Sequence, residues 1–145
     1  MIDYWTIAAL KAKVARLRLL GADRVLSLSV YTLSECYNGT GPEFLPQRIR
    51  MKLDAVCKPL LPAVMVHDVD FGLSDGTVGP FRSANRRLLI NGIVCACDAH
   101  PWYSWRRYVL ILEAWTIYRA CQKFGWIAWR LAYNKHKQQK GNTNE

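Results

Sequence analysis

Apolar residues recur every three or four positions along much of the chain, and glycine- and proline-bearing breaks separate the runs. From Asp3 to Leu20, the residues Ile7, Leu10, Val14 and Leu17 share one helical face, and Gly21 is a natural stop. Arg24 to Leu33 alternates imperfectly and is compatible with a strand or with a second helix capped near Asp23; helix is the reading adopted. Tyr37-Asn38-Gly39-Thr40-Gly41-Pro42 is a loop, because its glycines admit positive φ and Pro42 disfavours helix at Gly41. Pro46 to Cys57 predicts a short basic helix carrying Arg48, Arg50 and Lys52, ended by Pro59 and Pro62. Pro62 then serves as an early residue of an apolar helix ending near Gly72.

Leu73 to Pro80 reads as a second Gly-rich loop. A helix follows from Phe81 to about Cys97, with Phe81, Ala84, Leu88 and either Asn91 or Gly92 on one side. Pro101 opens a last long helix, Trp102 to Asn134, with Gly125 as the place for a kink. The pattern therefore predicts an all-α fold: a single helical domain over residues 1–134 and a polar, flexible tail over 135–145. No internal repeat is visible.

Charge changes this picture by adding a partner. The net charge of +9 points to an anionic one: nucleic acid, an acidic membrane surface or an acidic protein. The basic residues are spread over several segments without a helix-turn-helix, zinc-finger or stacking-sheet signature, which places nucleic acid behind the other two. The N-terminus carries Asp3 where a signal peptide wants positive charge, so secretion by a signal peptide is not expected. No run reaches the ~18 uncharged apolar residues of a spanning helix, and the protein is expected to be soluble or to lie on a surface. Five cysteines, an odd number without regular spacing, argue against a disulfide framework or a zinc site and for reduced, buried thiols.

Candidate chemistry sits on the apolar helix, in Pro62-Ala63-Val64-Met65-Val66-His67-Asp68-Val69-Asp70-Phe71. His67 is a candidate general base and Asp68 a candidate metal ligand, and neighbours on a helix point about 100° apart. Each also has a plainer reading. A histidine on an apolar helix is commonly a buried, hydrogen-bonded residue. Asp68 and Asp70 near a helix end are commonly solvated, or cap the next loop. Tyr37 to Pro42 and Asp75-Gly76 are turn signals first, and the latter lacks the ligand pattern of a helix-loop-helix Ca²⁺ site.

Taken in order, three elements resemble the phospholipase A2 superfamily: Tyr37-Asn38-Gly39-Thr40-Gly41, then His67-Asp68-Val69-Asp70-Phe71, then Ala84-Asn85-Arg86-Arg87-Leu88. The order is similar to that in phospholipase domains of small-virus capsid proteins. The stretch from Pro62 to Gly92, with Ile117-Tyr118-Arg119-Ala120-Cys121-Gln122-Lys123-Phe124-Gly125, also resembles a family of uncharacterised phage and prophage proteins. That resemblance implies a phage virion or host cytoplasm as the location. The phospholipase A2 resemblance implies Ca²⁺ held by the carbonyls of Tyr37, Gly39 and Gly41 and the Asp68 carboxylate, with His67 as general base and Asn85 orienting it. The sequence departs from the pattern in four respects. Asn85 stands where the family has Asp, Phe71 replaces the usual Tyr, the flanking paired cysteines are missing, and the interval from Gly41 to Asp68 is long.

The last helix mixes five tryptophans (Trp102, Trp105, Trp115, Trp126, Trp129) with Arg106, Arg107, Arg119, Lys123 and Arg130. Trp115, Tyr118, Gln122, Trp126, Trp129 and Tyr133 follow helical spacing and predict a core-facing stripe. The same composition suits a helix lying on an anionic phospholipid surface, or a dock on other virion subunits. Three functions follow: a phage-type phospholipase A2-like enzyme, a catalytically inactive structural or assembly component of a virion, and another class of hydrolase built on His67-Asp68.

Overall fold

A computed structural model describes residues 4–37, 48 and 57–141, with side chains through Asn134. The fold is all-α, and no strand occurs among the described residues. In chain order the helices are α1 (Tyr4–Arg16), α2 (Ala22–Ser27), α3 (Val30–Cys36), α4 (Leu61–Gly72), α5 (Val78–Ala99) and α6 (Trp105–Gly141), with a 3-10 turn over Lys58–Leu60 before α4. The expected Gly39–Pro42 loop and almost all of the expected Pro46–Cys57 helix lie outside the described residues.

α4 is the centre. It buries Pro62 to His67, Val69 and Asp70, so nearly its whole circumference is inside, as expected of a helix apolar all round. The short N-terminal helices and α5 all pack against it, while α6 lies mainly along α5. One main core joins Ile7, Val14, Leu33, Met65, Leu88 and Ala114, and a smaller aromatic cluster groups Phe81, Ala84 and Trp129 with Phe71 and Trp126. Gly92 sets the close approach of α5 and α6: a Cβ there would lie 2.7 Å from the Ala114 Cβ.

Several elements depart from the sequence reading. The first helix ends at Arg16 rather than Leu20, and Arg18 and Gly21 take left-handed backbone, with φ of 49° and 84°. The buried Asn91 side chain on α5 explains the break. Its Oδ1 accepts from the Leu20 N–H at 2.8 Å and its Nδ2 donates to the Leu20 carbonyl at 3.0 Å, so a tertiary partner replaces helical bonds. The Arg24–Leu33 region is helical but divided, because Ser29 caps α3 by accepting the Thr32 N–H at 3.0 Å. α2 begins after Gly21, without the side-chain cap expected near Asp23.

α5 begins at Val78, so Gly79 and Pro80 belong to its first turn, where a missing N–H removes no intrahelical bond. Ahead of it the Asp75 carboxylate accepts the Thr77 N–H at 2.9 Å and its hydroxyl at 2.8 Å, so Asp75-Gly76 is a turn. Those bonds hold the Asp75 carboxyl below the usual range. α6 starts at Trp105, after a turn rather than at Trp102, and is continuous through Gly125. It also runs past Asn134 to Gly141, through a Lys- and Gln-rich segment of good helix formers.

The predicted stripe on α6 is only partly a core stripe. Trp129 is buried and Tyr118, Trp126 and Tyr133 are half-buried, but Trp115 and Gln122 are exposed. Small and aliphatic residues, Leu110 and Ala114 with the part-buried Ile117 and Cys121, form the contact with α5 and α4 instead. Their narrow side chains permit the spacing at Gly92 that a column of indoles would prevent.

Candidate functional site

His67 sits two turns into α4, on the flank facing α5, and is 7% exposed. Its Nε2 lies 2.9 Å from Asn85 Oδ1, and Asn85 is fully buried on α5. A carboxamide oxygen only accepts, so neutral His67 carries its proton on Nε2 and presents a lone pair at Nδ1. Nδ1 lies 4.0 Å from Asp68 Oδ1, and Asp68 is half-buried. The Phe71 ring, one turn on, stacks tilted against the imidazole with centroids 4.4 Å apart. Two hard constraints, a bond on one side and a ring on another, fix the orientation of the imidazole.

Burial pushes the His67 imidazole below its ordinary value, opposed by the Asn85 bond and by Asp70, with Arg87 adding to the lowering. It is therefore neutral at neutral pH, the state in which Nδ1 can accept a proton. The Asn85 Nδ2 group is buried and has no hydrogen-bond partner among the described residues. An amide at this position positions the ring through one atom and leaves the other unsatisfied.

Asp70 is neither solvated nor a loop cap. Its side chain is 1% exposed and takes Arg24 Nη1 at 2.6 Å on Oδ1 and Arg87 Nε at 2.8 Å on Oδ2, with Arg87 Nη2 also 2.8 Å from Oδ2. This buried pairing ties α2, α4 and α5 together one turn from His67 and fixes the seam in which His67 and Asn85 meet. Spacing did not single it out. An acid inside an apolar helix was its one visible signal, and the two arginines come from distant segments.

Around Asp68 the end of α3 and the middle of α6 converge. Burial raises the Cys36 and Cys121 thiols, the latter to about 11, and the Asp68 carboxylate adds to both shifts. The Cys36 Sγ would lie 3.7 Å from a Cβ on Gly72, which brings the end of α3 against the end of α4. Tyr37, the next residue, is buried in the main core. Of the four candidate metal ligands, Tyr37 and Asp68 are thus on neighbouring elements, whereas Gly39 and Gly41 lie outside the described residues. A carboxylate and a backbone carbonyl are hard-oxygen donors of the kind Ca²⁺ takes, in sets of about six to eight. No group of three or more His, Cys, Asp or Glu that could hold a metal ion occurs among the described residues. The protonated thiols form no disulfide there.

No helix of the described residues is long and apolar enough to cross a membrane. Set against known protein families, curated proteins and solved structures, the chain matches none.

Proposed function

We propose that the protein is a phage-type, phospholipase A2-like carboxylic ester hydrolase that acts on phospholipid, with His67 as general base. The observation that carries this reading is the 2.9 Å contact of His67 Nε2 with Asn85 Oδ1 across two neighbouring helices. It fixes the tautomer that leaves Nδ1 basic, next to Asp68. Two acceptors 4.0 Å apart suit one water donating a proton to each, at about 2.8 Å per bond. His67 takes one of those protons as the water oxygen attacks the ester carbonyl, a role typically worth about 10²–10⁴-fold in rate. Asn85 holds the ring but brings no counter-charge to the imidazolium, so the carboxylate beside Nδ1 is the nearest stabilising charge. Ca²⁺, held by Asp68 and the carbonyls of Tyr37, Gly39 and Gly41, would polarise that ester carbonyl when bound.

Fatty-acid release from mixed phospholipid bilayers, with and without Ca²⁺, tests the reading. The unmodified protein is expected to release fatty acid only with Ca²⁺, and His67→Ala to lose about 10²-fold or more. Absence of Ca²⁺-dependent release from the unmodified protein sinks it.

A second reading is a catalytically inactive structural or assembly component of a virion. It is favoured by the enclosure of His67, at 7% exposure, and by the uncharged Asn85. In that case His67–Asn85 is a buried polar tie between α4 and α5.

A further inference from the structure

The outer face of α6 is apolar and, among the described residues, largely exposed. Trp105, Leu112, Phe124, Ile127 and Leu131 are between 61% and 70% exposed, and they spread over 26 residue steps, about 39 Å of helix. Cations run down the same face: Arg119, Lys123 and Arg130 recur at helical spacing beside Ala120, Phe124, Ile127 and Leu131. Several of these cations lie over rings of their own helix, Arg119 5.6 Å from the Trp115 centroid and Lys123 5.4 Å from that of Phe124. Between Trp105 and Asn134 there are five arginines or lysines and one carboxylate, Glu113.

We propose that this face binds an anionic phospholipid bilayer, with the α6 axis lying along the membrane plane. The inference takes its lipid class from the hydrolase reading above and adds the surface through which the protein reaches it. Charge complementarity selects the occupant. A second copy of the chain would bring Arg119, Lys123 and Arg130 against like charges, and a nucleic acid would leave Leu112, Ile127 and Leu131 without a partner. A bilayer satisfies both sets: aliphatic and aromatic groups enter the boundary of the acyl region while the cations remain at the phosphates. The face is a convex helix surface, which a deformable bilayer accepts without a matching groove.

The test is co-sedimentation of the full chain with phosphatidylglycerol or phosphatidylcholine vesicles over a range of salt. It uses the His67→Gln background, so that hydrolysis does not consume the vesicles. Preferential partition to phosphatidylglycerol, falling as salt rises, is expected. Arg119→Gln with Lys123→Gln should weaken it by roughly fivefold per cation removed. Phe124→Ser, Ile127→Ser and Leu131→Ser together should weaken binding tenfold or more at every salt concentration, with an unchanged circular dichroism spectrum. Equal recovery in the supernatant with both vesicle types overturns the proposal, as does a triple variant that binds like its parent. So does a chain that ignores vesicles but shifts with an acidic protein or an oligonucleotide. Hydrolysis of a dispersed short-chain ester without vesicle binding would sink only this inference, and binding without hydrolysis only the enzymatic one.

Discussion

The seam between α4 and α5 holds His67, Asp70 and Asn85 inside, whereas the outer face of α6 holds Trp105, Phe124 and Ile127 outside. Each inverts the ordinary distribution of side chains, and the two are resolved differently. In the seam, Asp70 is paired twice and His67 once, all by groups of the same chain, so the fold itself repays most of the desolvation. On the outer face of α6, Trp115 and Phe124 carry cations of their own helix and stay largely exposed among the described residues. Polar groups inside thus mark what the fold has settled, and the apolar groups outside mark what it leaves open. The exception within the seam is the unpartnered Asn85 Nδ2, at the position where the phospholipase resemblance has a carboxylate.

Substitutions should separate the two regions. The largest effect is expected from Arg87→Met, which strips Oδ2 of the buried Asp70 of its partner; urea unfolding should show a loss of about 3–5 kcal/mol. A loss under 1 kcal/mol would mean that Arg24 alone sustains the carboxylate. Gly92→Ala, pressing a methyl group 2.7 Å from the Ala114 Cβ, should cost about 1–3 kcal/mol in the same measurement.

The pH dependence follows from His67. Its folded pKa is depressed, so the unfolded chain takes up a proton near pH 6.5 while the folded chain does not. Stability is therefore full above about 6.5 and falls as the pH drops towards the folded pKa, with a slope of at most about 1.4 kcal/mol per pH unit from this one group. Comparing His67→Gln with the parent by thermal unfolding from pH 7 to pH 5 isolates that slope; identical profiles would show that the imidazole protonates equally in both states. If the enzyme reading holds, the acid limb of the rate profile also lies below pH 6.5, since Nδ1 stays basic down to the depressed value. The smallest change is expected on the outer face. Ile127→Ser alone should alter unfolding free energy by no more than about 0.5 kcal/mol, and a larger loss would place Ile127 in a contact within the fold.

Much of this architecture was legible from the sequence. Helical periodicity located α1, α4, α5 and α6, whereas α2 and α3 were read as one imperfectly alternating segment. Pro62 and Gly72 bounded α4 to within one residue, because an apolar run between a helix-starting and a helix-stopping residue has few alternatives. The neighbours of His67 were less legible. Asn85 reached the candidate site only through a resemblance in motif order, and the structure puts it 2.9 Å from the ring. Asp70 was misread, since its partners stand 46 and 17 positions away and nothing local announces them. Gly39 and Gly41, the rest of the expected metal set, lie outside the described residues.

Amphipathic spacing, prolines and capping residues determined the helical class and the order of elements, since each acts within a turn or two of chain. Only the tertiary structure decided where the first helix stops, because that depends on an Asn91 side chain 71 positions from Leu20. It also decided which side of α6 is inside. An indole stripe and an aliphatic stripe carry similar hydrophobicity along a helix, and the sequence weighs them alike. Steric fit does not: Gly92 and Ala114 allow α5 and α6 to close on the narrow side, and that contact turns Trp105, Leu112 and Phe124 outward.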